Sequence, residues 1–186
     1  MRAAVLYATR EGQTRRVAAR IADDLRLRGV EVDLLDVGVA GSIDWSRYQA
    51  ACLAASVHIG HHEPEMIALV KEHRAELERL GASFISVTLS EAGVEDPRRT
   101  DAVRRQAMAD VRQMLDVFVV ETGWRPARMF PVAGALTYSK YNIFVRFIMK
   151  RIARKQGAPT DTSRDYEFTD WQAVDGFARE FAERVR

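Results

Sequence analysis

The chain has 186 residues, a length that fits one globular domain of ordinary size. Hydrophobic residues make up 47% of the sequence and charged residues 29%, which excludes wholesale disorder. A single cysteine, Cys52, excludes an intramolecular disulfide and a cysteine-based zinc cluster, and it favours a reducing compartment. We expect neither a membrane-spanning helix nor a secretory signal, because the apolar stretches are too short.

The net charge of +2 conceals one strongly basic stretch. Residues 140–155 carry six basic side chains and no acidic one, and subtracting these six charges from +2 leaves −4 for the rest of the chain. The sequence therefore describes a mildly acidic body with one basic appendage.

The predicted elements alternate between strands and helices along the chain. An apolar run at 3–7 predicts a strand buried on both faces, and apolar residues at i, i+4 and i+8 then predict a helix over 14–27. Similar patterns predict further strands at 31–37, 50–57, 83–89 and 129–135. They also predict helices over 64–81, 100–119 and 170–185. A polar loop containing Gly93 and Pro97 is predicted before the helix over 100–119. The pattern predicts an α/β domain over 1–186, with a five-stranded parallel sheet in the order 2-1-3-4-5 and ligands at the carboxyl ends of its strands.

The turn after the first strand has the composition of an anion site. It reads Thr9, Arg10, Glu11, Gly12, Gln13, Thr14, and it joins a buried strand to a helix N-terminus. Exposed backbone N–H groups and the helix dipole favour an anion there, and the glycine permits close approach of the backbone. The turn lacks a Walker lysine and the three glycines of a dinucleotide motif, which favours a mononucleotide phosphate. A plain capped βα turn is the alternative for these six residues alone.

The same turn, Thr-x-x-Gly-x-Thr, resembles the FMN phosphate loop of flavodoxins. Further motifs follow in order: Ser-x-x-x-Gly-His at 56–61, Trp-Arg-Pro at 124–126, Ala-Gly-Ala-Leu at 133–136 with Tyr138 and Tyr141 after it, Thr-Asp-Thr at 160–162 and Thr-Asp-Trp at 169–171. Together they resemble the flavodoxin-like, quinone-dependent protoporphyrinogen IX dehydrogenases. The resemblance implies a flavodoxin-like three-layer sandwich and an FMN enzyme that oxidises protoporphyrinogen IX and passes the electrons to a membrane quinone.

The resemblance also implies which loops hold the cofactor. Besides the first turn, these are the second loop (Ser56, Val57, His58, Ile59, Gly60, His61) and the third loop (Thr88, Leu89, Ser90, Glu91). Neither has an aromatic side chain to stack on the flavin, so we expect a histidine or the 138–141 tyrosines to do so. We assign no side-chain nucleophile, since the flavin carries the chemistry. His61 is a candidate for a hydrogen-bonding or proton-transferring role.

Other residues have simpler interpretations. His58, His61 and His62 are close enough in sequence to suggest a metal site, but a carboxylate such as Glu63 or Glu65 would have to complete it, and we predict no metal. Ordinary loop histidines are the other alternative. We expect Cys52 to be an inert buried residue, Trp124 and Trp171 to be packing residues, and Asp170 to cap a helix.

An inserted segment is predicted at about 137–165, before the last helix. On a helical wheel, residues 141–155 separate apolar from basic side chains, which is typical of a helix that binds a membrane surface or a partner helix. The basic side chains can also pair with the propionates of a porphyrinogen. We predict substrate or membrane contacts for Tyr138, Lys140, Tyr141, Arg146, Lys150, Arg151 and Arg154. The alternative is a helix packed on the core with solvated basic side chains.

These features predict an enzyme on the cytoplasmic face of the cell membrane, held there by an anionic surface, without nucleic-acid binding. A homo-oligomer is left open. The alternative functions are an electron-carrying flavodoxin, an NAD(P)H-quinone reductase and a membrane module without flavin. The near-neutral charge argues against the carrier, because carriers are usually acidic to steer towards basic partners.

Overall fold

A twisted parallel sheet forms the centre of the protein. The computed structural model describes residues 1–140, 151 and 160–185. Five parallel strands lie in the order β2-β1-β3-β5-β6, and a short strand, β4, pairs antiparallel with β3. Their bounds are β1 Arg2–Ala8, β2 Glu31–Asp36, β3 Ala50–His58, β4 His61–His62, β5 Ser83–Thr88 and β6 Arg128–Ala133. Numbered without β4, this is the predicted order 2-1-3-4-5, so the prediction is confirmed.

Helices cover both faces of the sheet. Their bounds are α1 Gln13–Leu27, α2 Pro64–Glu72, α3 Arg74–Arg79, α4 Leu89–Glu95, α5 Asp101–Thr122 and α6 Trp171–Arg184. In β1, Ala3 and Val5 pack against α1 and α6, while Ala4 and Leu6 pack against the side of α2, α3 and α5. Successive side chains of a strand point to opposite faces, so a strand buried on both sides is apolar at every position. This explains why the first strand showed no alternation.

Aromatic rings fill the core under α5. Phe84 and Phe118 stack with ring centroids 4.0 Å apart, and Trp124 meets both rings edge-on. Trp124 is 1% exposed, which confirms its predicted packing role. Cys52 is fully buried in β3, and its burial raises the pKa of the thiol to about 12, so it stays a neutral apolar residue.

Two predicted elements differ in the structure. The helix predicted over 64–81 is divided at His73, whose φ of −114° leaves the helical region and whose ring lies 5.4 Å from that of Trp45. The polar loop predicted around Gly93 is instead helix α4, capped by Thr88, whose Oγ1 accepts from Ser90 N at 3.3 Å. A Cβ on Gly93 would lie 3.1 Å from Ala107 Cβ, so this glycine allows α4 to pack closely on α5. A short helix held by tertiary packing leaves no periodic signal in the sequence.

The last helix begins as predicted. Asp170 Oδ1 accepts from the backbone N–H groups of Gln172 and Ala173 at 2.9 and 3.0 Å, which confirms the expected cap. Trp171 Nε1 donates to Glu167 Oε1 at 2.9 Å, and its ring lies under the Arg16 guanidinium. Trp171 therefore anchors α6 to the preceding segment.

A small second sheet flanks the predicted insertion. It pairs β7 (Ala135–Leu136) with β8 (Tyr166–Glu167) in antiparallel register. Tyr138 is fully buried beside them and meets Tyr166 edge-on at 6.3 Å. In the structure its ring packs inside the protein, and its contact with a membrane or substrate stays a prediction.

Most of the predicted basic helix lies outside the described residues, including Tyr141, Arg146, Lys150 and Arg154. The side chain of Lys140 also lies outside them, whereas Arg151 is helical and exposed. Within the described ranges, no helix has both the length and the hydropathy to cross a bilayer.

Candidate functional site

The three predicted loops meet at one edge of the sheet. They follow β1, β3 and β5, which are neighbours in the sheet and parallel to one another. The carboxyl ends of parallel strands lie at the same edge, where open α/β sheets bind their ligands. The fold therefore brings together 9–14, 56–61 and 88–91.

The first turn has unsatisfied hydrogen-bonding groups. Gly12 has φ 96° and donates its N–H to Thr9 Oγ1 at 3.0 Å, and α1 begins at the next residue. In the described part of the chain, no side chain caps this end of α1. Thr14 is fully buried, and its hydroxyl has no hydrogen-bond partner. A buried hydroxyl without a partner is costly, and a helix N-terminus without a cap attracts an anion. The turn is thus built to receive negatively charged oxygens.

A buried carboxylate joins the first and second loops. Glu63 is 2% exposed and accepts from Ser56 Oγ at 2.7 Å and from Arg10 Nε at 3.0 Å. His58 Nε2 lies 3.3 Å from Glu63 Oε1 and 3.4 Å from Glu11 Oε2. The contact with Glu11, with a further contribution from the charge of Glu63, raises the pKa of His58 above its ordinary value. The positively charged imidazole is therefore favoured between the two loops.

Glu63 is a functional candidate that the sequence identified only as an incidental metal ligand. Its sole sequence signal is its position before Pro64, the first residue of α2. The carboxylate organises three other side chains across 53 residues of sequence, and a linear pattern does not record such a contact.

The second loop ends in a strained two-residue turn. Ile59 and Gly60 have φ of 52° and 81°, and they connect Val57 and His58 of β3 to β4. Turns of this kind favour asparagine and glycine, so a β-branched residue at the first position is strained. Ile59 is 96% exposed, although burial is the norm for isoleucine. Strain and exposed apolar surface together are typical of a functional position.

The three neighbouring histidines face different environments. His62 is buried, with Nε2 2.8 Å from Ser86 Oγ, and burial lowers its pKa to about 4. His61 is exposed, and its Nδ1 lies 3.8 Å from Glu121 Oε2 on α5. No group of three or more His, Cys, Asp and Glu side chains is arranged to hold a metal ion within residues 1–140, 151 and 160–185. Each histidine therefore has a separate role.

The third loop is the start of α4. Thr88 ends β5, and the first turn of the helix consists of Leu89, Ser90 and Glu91. Ser90 and Glu91 are 4% and 9% exposed, and burial raises the pKa of Glu91 above its ordinary value. A helix stands where the sequence predicted a polar loop, so the position of these residues is fixed by the packing of α4 on α5.

The side chain of Gln13 turns away from the anion site. Its Nε2 donates to Thr169 Oγ1 at 2.8 Å and to Glu167 Oε1 at 3.1 Å, while Thr169 donates to the carbonyl of Ala133. Arg16 completes this network through an ion pair with Glu167 at 2.8 Å. The network ties the first turn to β8 and the end of β6. It fixes the turn's position and leaves its backbone N–H groups to the ligand.

Comparison with known proteins agrees with this geometry. The flavodoxin domain family matches residues 4–163. Protoporphyrinogen IX dehydrogenase [quinone] of Escherichia coli K12 is 33% identical over 98% of this chain and 95% of its own length. The protein of the same name from Leishmania major is 30% identical over 96% of this chain and 73% of its own length. The chain belongs to the flavodoxin-like protoporphyrinogen IX dehydrogenase family.

Solved structures show the same fold at low identity. A short-chain flavodoxin associated with a bacterial microcompartment superposes with a TM-score of 0.54 at 14% identity, covering 100% of this chain and 99% of its own. Oxidised Flavodoxin 1 from Bacillus cereus has a TM-score of 0.52 at 13% identity and full coverage of both chains. Members of this family are FMN-binding oxidoreductases, and the present chain is one of them.

The residues present fit FMN. The buried hydroxyl of Thr14 and the uncapped first turn of α1 supply unsatisfied donors for a phosphate. Arg10 adds a positive charge beside this turn, although Glu63 already pairs with it. The phosphate would be held by the backbone of 12–14, and the second and third loops border the space beyond it.

Proposed function

We propose that this protein oxidises protoporphyrinogen IX to protoporphyrin IX in haem biosynthesis and passes the electrons to a membrane quinone. The observation that carries the proposal is the near-full-length similarity to relatives of that name. The anion site, with its unsatisfied Thr14 hydroxyl, supports the flavin part of the proposal independently.

The chain's own residues bind and orient, while the bound FMN would supply the hydride-accepting chemistry. The N-terminus of α1 would hold the phosphate, and the network from Gln13 to Thr169 keeps that turn in place. His58 lies between Glu11 and Glu63, and the contact with Glu11 and the charge of Glu63 raise its pKa and favour the positively charged imidazole. A fixed cation at the edge of a ligand site stabilises negative charge that develops there without reorganisation.

We further propose that the protein binds peripherally to the cytoplasmic face of the cell membrane. The support is the composition of 140–155, with six basic residues and no acid. Each basic residue near an anionic surface contributes about 1 kcal/mol, so six can hold the protein there reversibly. This location suits an enzyme whose electron acceptor lies in the bilayer.

The first experiment mixes FMN-loaded protein with protoporphyrinogen IX under anaerobic conditions. We expect the absorbance of oxidised flavin to disappear as porphyrin fluorescence rises, and added quinone to permit repeated turnover. Absence of flavin reduction by the porphyrinogen, combined with rapid reduction by NADPH, would contradict the proposal and favour an NAD(P)H-quinone reductase.

The membrane proposal has its own test. A variant with Lys150, Arg151, Arg154 and Lys155 all changed to Glu should no longer co-sediment with vesicles of anionic lipid, and it should retain its FMN. The matched control reverses four exposed arginines elsewhere, namely Arg47, Arg105, Arg112 and Arg179. Both variants change the net charge equally, so equal loss of binding would contradict a role for this particular segment.

A further inference from the structure

A cavity of about 880 Å³ lies between α4, α5 and Phe168. We propose that it binds the macrocycle of the porphyrinogen substrate, an inference that rests on the proposed function. The volume lies in the upper part of the roughly 300–1,000 Å³ range of small-molecule sites. Such a volume suits a tetrapyrrole better than a single small ring.

The cavity adjoins the proposed cofactor site. Leu89 and Ser90 form part of its wall, and they are also the first residues after β5, in the third predicted flavin loop. A ligand in the cavity would thus lie against the same backbone that borders the flavin. The crevice beyond the carboxyl ends of the strands is where α/β sheets bring cofactor and substrate together.

The lining matches a large apolar ligand. Much of the wall is formed by Leu89, Ala92, Val103, Ala107 and Phe168. The close packing of Gly93 on Ala107 fixes α4 against α5, so the wall is formed by two helices in a defined arrangement. Polar and charged side chains share the wall with these apolar ones, and ligand sites combine apolar walls with polar groups that fix the ligand's orientation.

The polar groups of the cavity match the functional groups of a porphyrinogen. Arg98 and Arg99 both pair with the single carboxylate of Asp96, at 2.9 and 3.3 Å, so this trio has a net positive charge, while Glu95 and Asp110 place acidic groups elsewhere on the lining. The Arg98 side chain is 88% exposed and can reorient towards a propionate, which a guanidinium binds in a bidentate manner.

Glu95 supplies an acceptor on the same wall. Burial, with the charges of Glu91 and Asp170, raises the pKa of Glu95 to about 7. Hydrogen bonds from pyrrole N–H groups would relieve this unfavourable environment. A quinone carries neither propionates nor N–H donors, so both the arginine pair and Glu95 favour the porphyrinogen over the electron acceptor.

The test fills the cavity from α5. Val103 lines it and is 41% exposed, so Val103→Trp places a large ring inside the space. Met108→Trp is the matched control, because Met108 is similarly exposed on α5 but does not line the cavity. A second pair of variants tests the positive charge at the cavity: Arg98→Ser removes it, and Arg105→Ser is the control because Arg105 does not line the cavity. The readouts are FMN content, the Kd for protoporphyrin IX from quenching of its fluorescence, and the KM values for porphyrinogen and quinone.

We expect Val103→Trp to raise the porphyrin Kd and the porphyrinogen KM by roughly tenfold or more, with FMN content and quinone KM unchanged. Arg98→Ser should raise the porphyrin Kd and the porphyrinogen KM by a smaller factor. The controls Met108→Trp and Arg105→Ser should leave both values unchanged. If the wild type binds and oxidises the substrate and Val103→Trp does the same, the cavity assignment is wrong and the proposed function stands. If Val103→Trp changes only the KM for quinone, the cavity assignment is also wrong. If the wild type neither binds porphyrin nor oxidises porphyrinogen, both the function and the site are wrong.

Discussion

The buried imidazole of His62 should make the protein sensitive to acid. The ring packs edge-on against the stacked rings of Phe84 and Phe118, with centroids 5.0 and 4.9 Å away, and burial lowers its pKa to about 4. In the unfolded chain the pKa returns to about 6.5, so protonation below that value favours the unfolded state. The contribution of His62 to stability is therefore complete above about pH 6.5 and is lost as the pH falls towards 4.

The magnitude follows from linkage between protonation and folding. At pH 5 the unfolded histidine is almost fully protonated and the folded one is mostly neutral, so the free energy of unfolding should be about 2 kcal/mol lower than at pH 7. Below pH 4 the total loss approaches about 3 kcal/mol. These values are a large part of the 5–15 kcal/mol that is typical of a folded domain.

The measurement is urea unfolding of the FMN-loaded protein at several pH values between 7 and 5, compared with His62→Gln. The variant loses aromatic packing at every pH, so its absolute stability is not the readout. The pH dependence is the readout, because other titrating groups, including His58, contribute equally to both proteins. We expect the wild type to lose about 2 kcal/mol more than the variant between pH 7 and 5. Parallel curves would refute the assignment of His62 as a buried neutral histidine.

Three further substitutions test the cofactor site, the core and the last helix. Thr14→Val should raise the Kd for FMN by roughly ten- to hundredfold, because it removes a buried hydroxyl available to the phosphate, whereas Thr14→Ser should leave the Kd unchanged. Equal FMN affinity of the wild type and both variants in a fluorescence titration would contradict this. Phe118→Ala should lower the free energy of unfolding by about 3–5 kcal/mol, because the Phe118 ring is buried against Phe84 and Trp124. An unchanged free energy of unfolding in urea would be inconsistent with that packing. Asp170→Ala should cost about 1 kcal/mol in the same assay and Asp170→Asn much less, whereas equal losses would argue against the cap.

The sequence was sufficient for the order of the strands in the parallel sheet and for the turn after the first strand. Buried parallel strands are apolar at every position, as at 3–7, and the helices that cover them repeat every three or four residues. The cap at Asp170 and the turn at Gly12 are local structures, formed by residues within a few positions of each other. Local structure of this kind is encoded directly in local sequence, and the structure agrees with the prediction at both positions.

Tertiary structure alone decided what the individual histidines and carboxylates do. His58, His61 and His62 look alike in the sequence, yet one meets two carboxylates, one faces α5 and one is buried among phenylalanines. Glu63 reaches Arg10 across 53 positions, and α4 exists because it packs on α5. Such roles depend on burial and on contacts between distant segments, and both arise only once the chain has folded. The sequence by itself determined the sheet, its longer covering helices and the turn after the first strand, whereas the environment of each ionisable side chain was decided by packing.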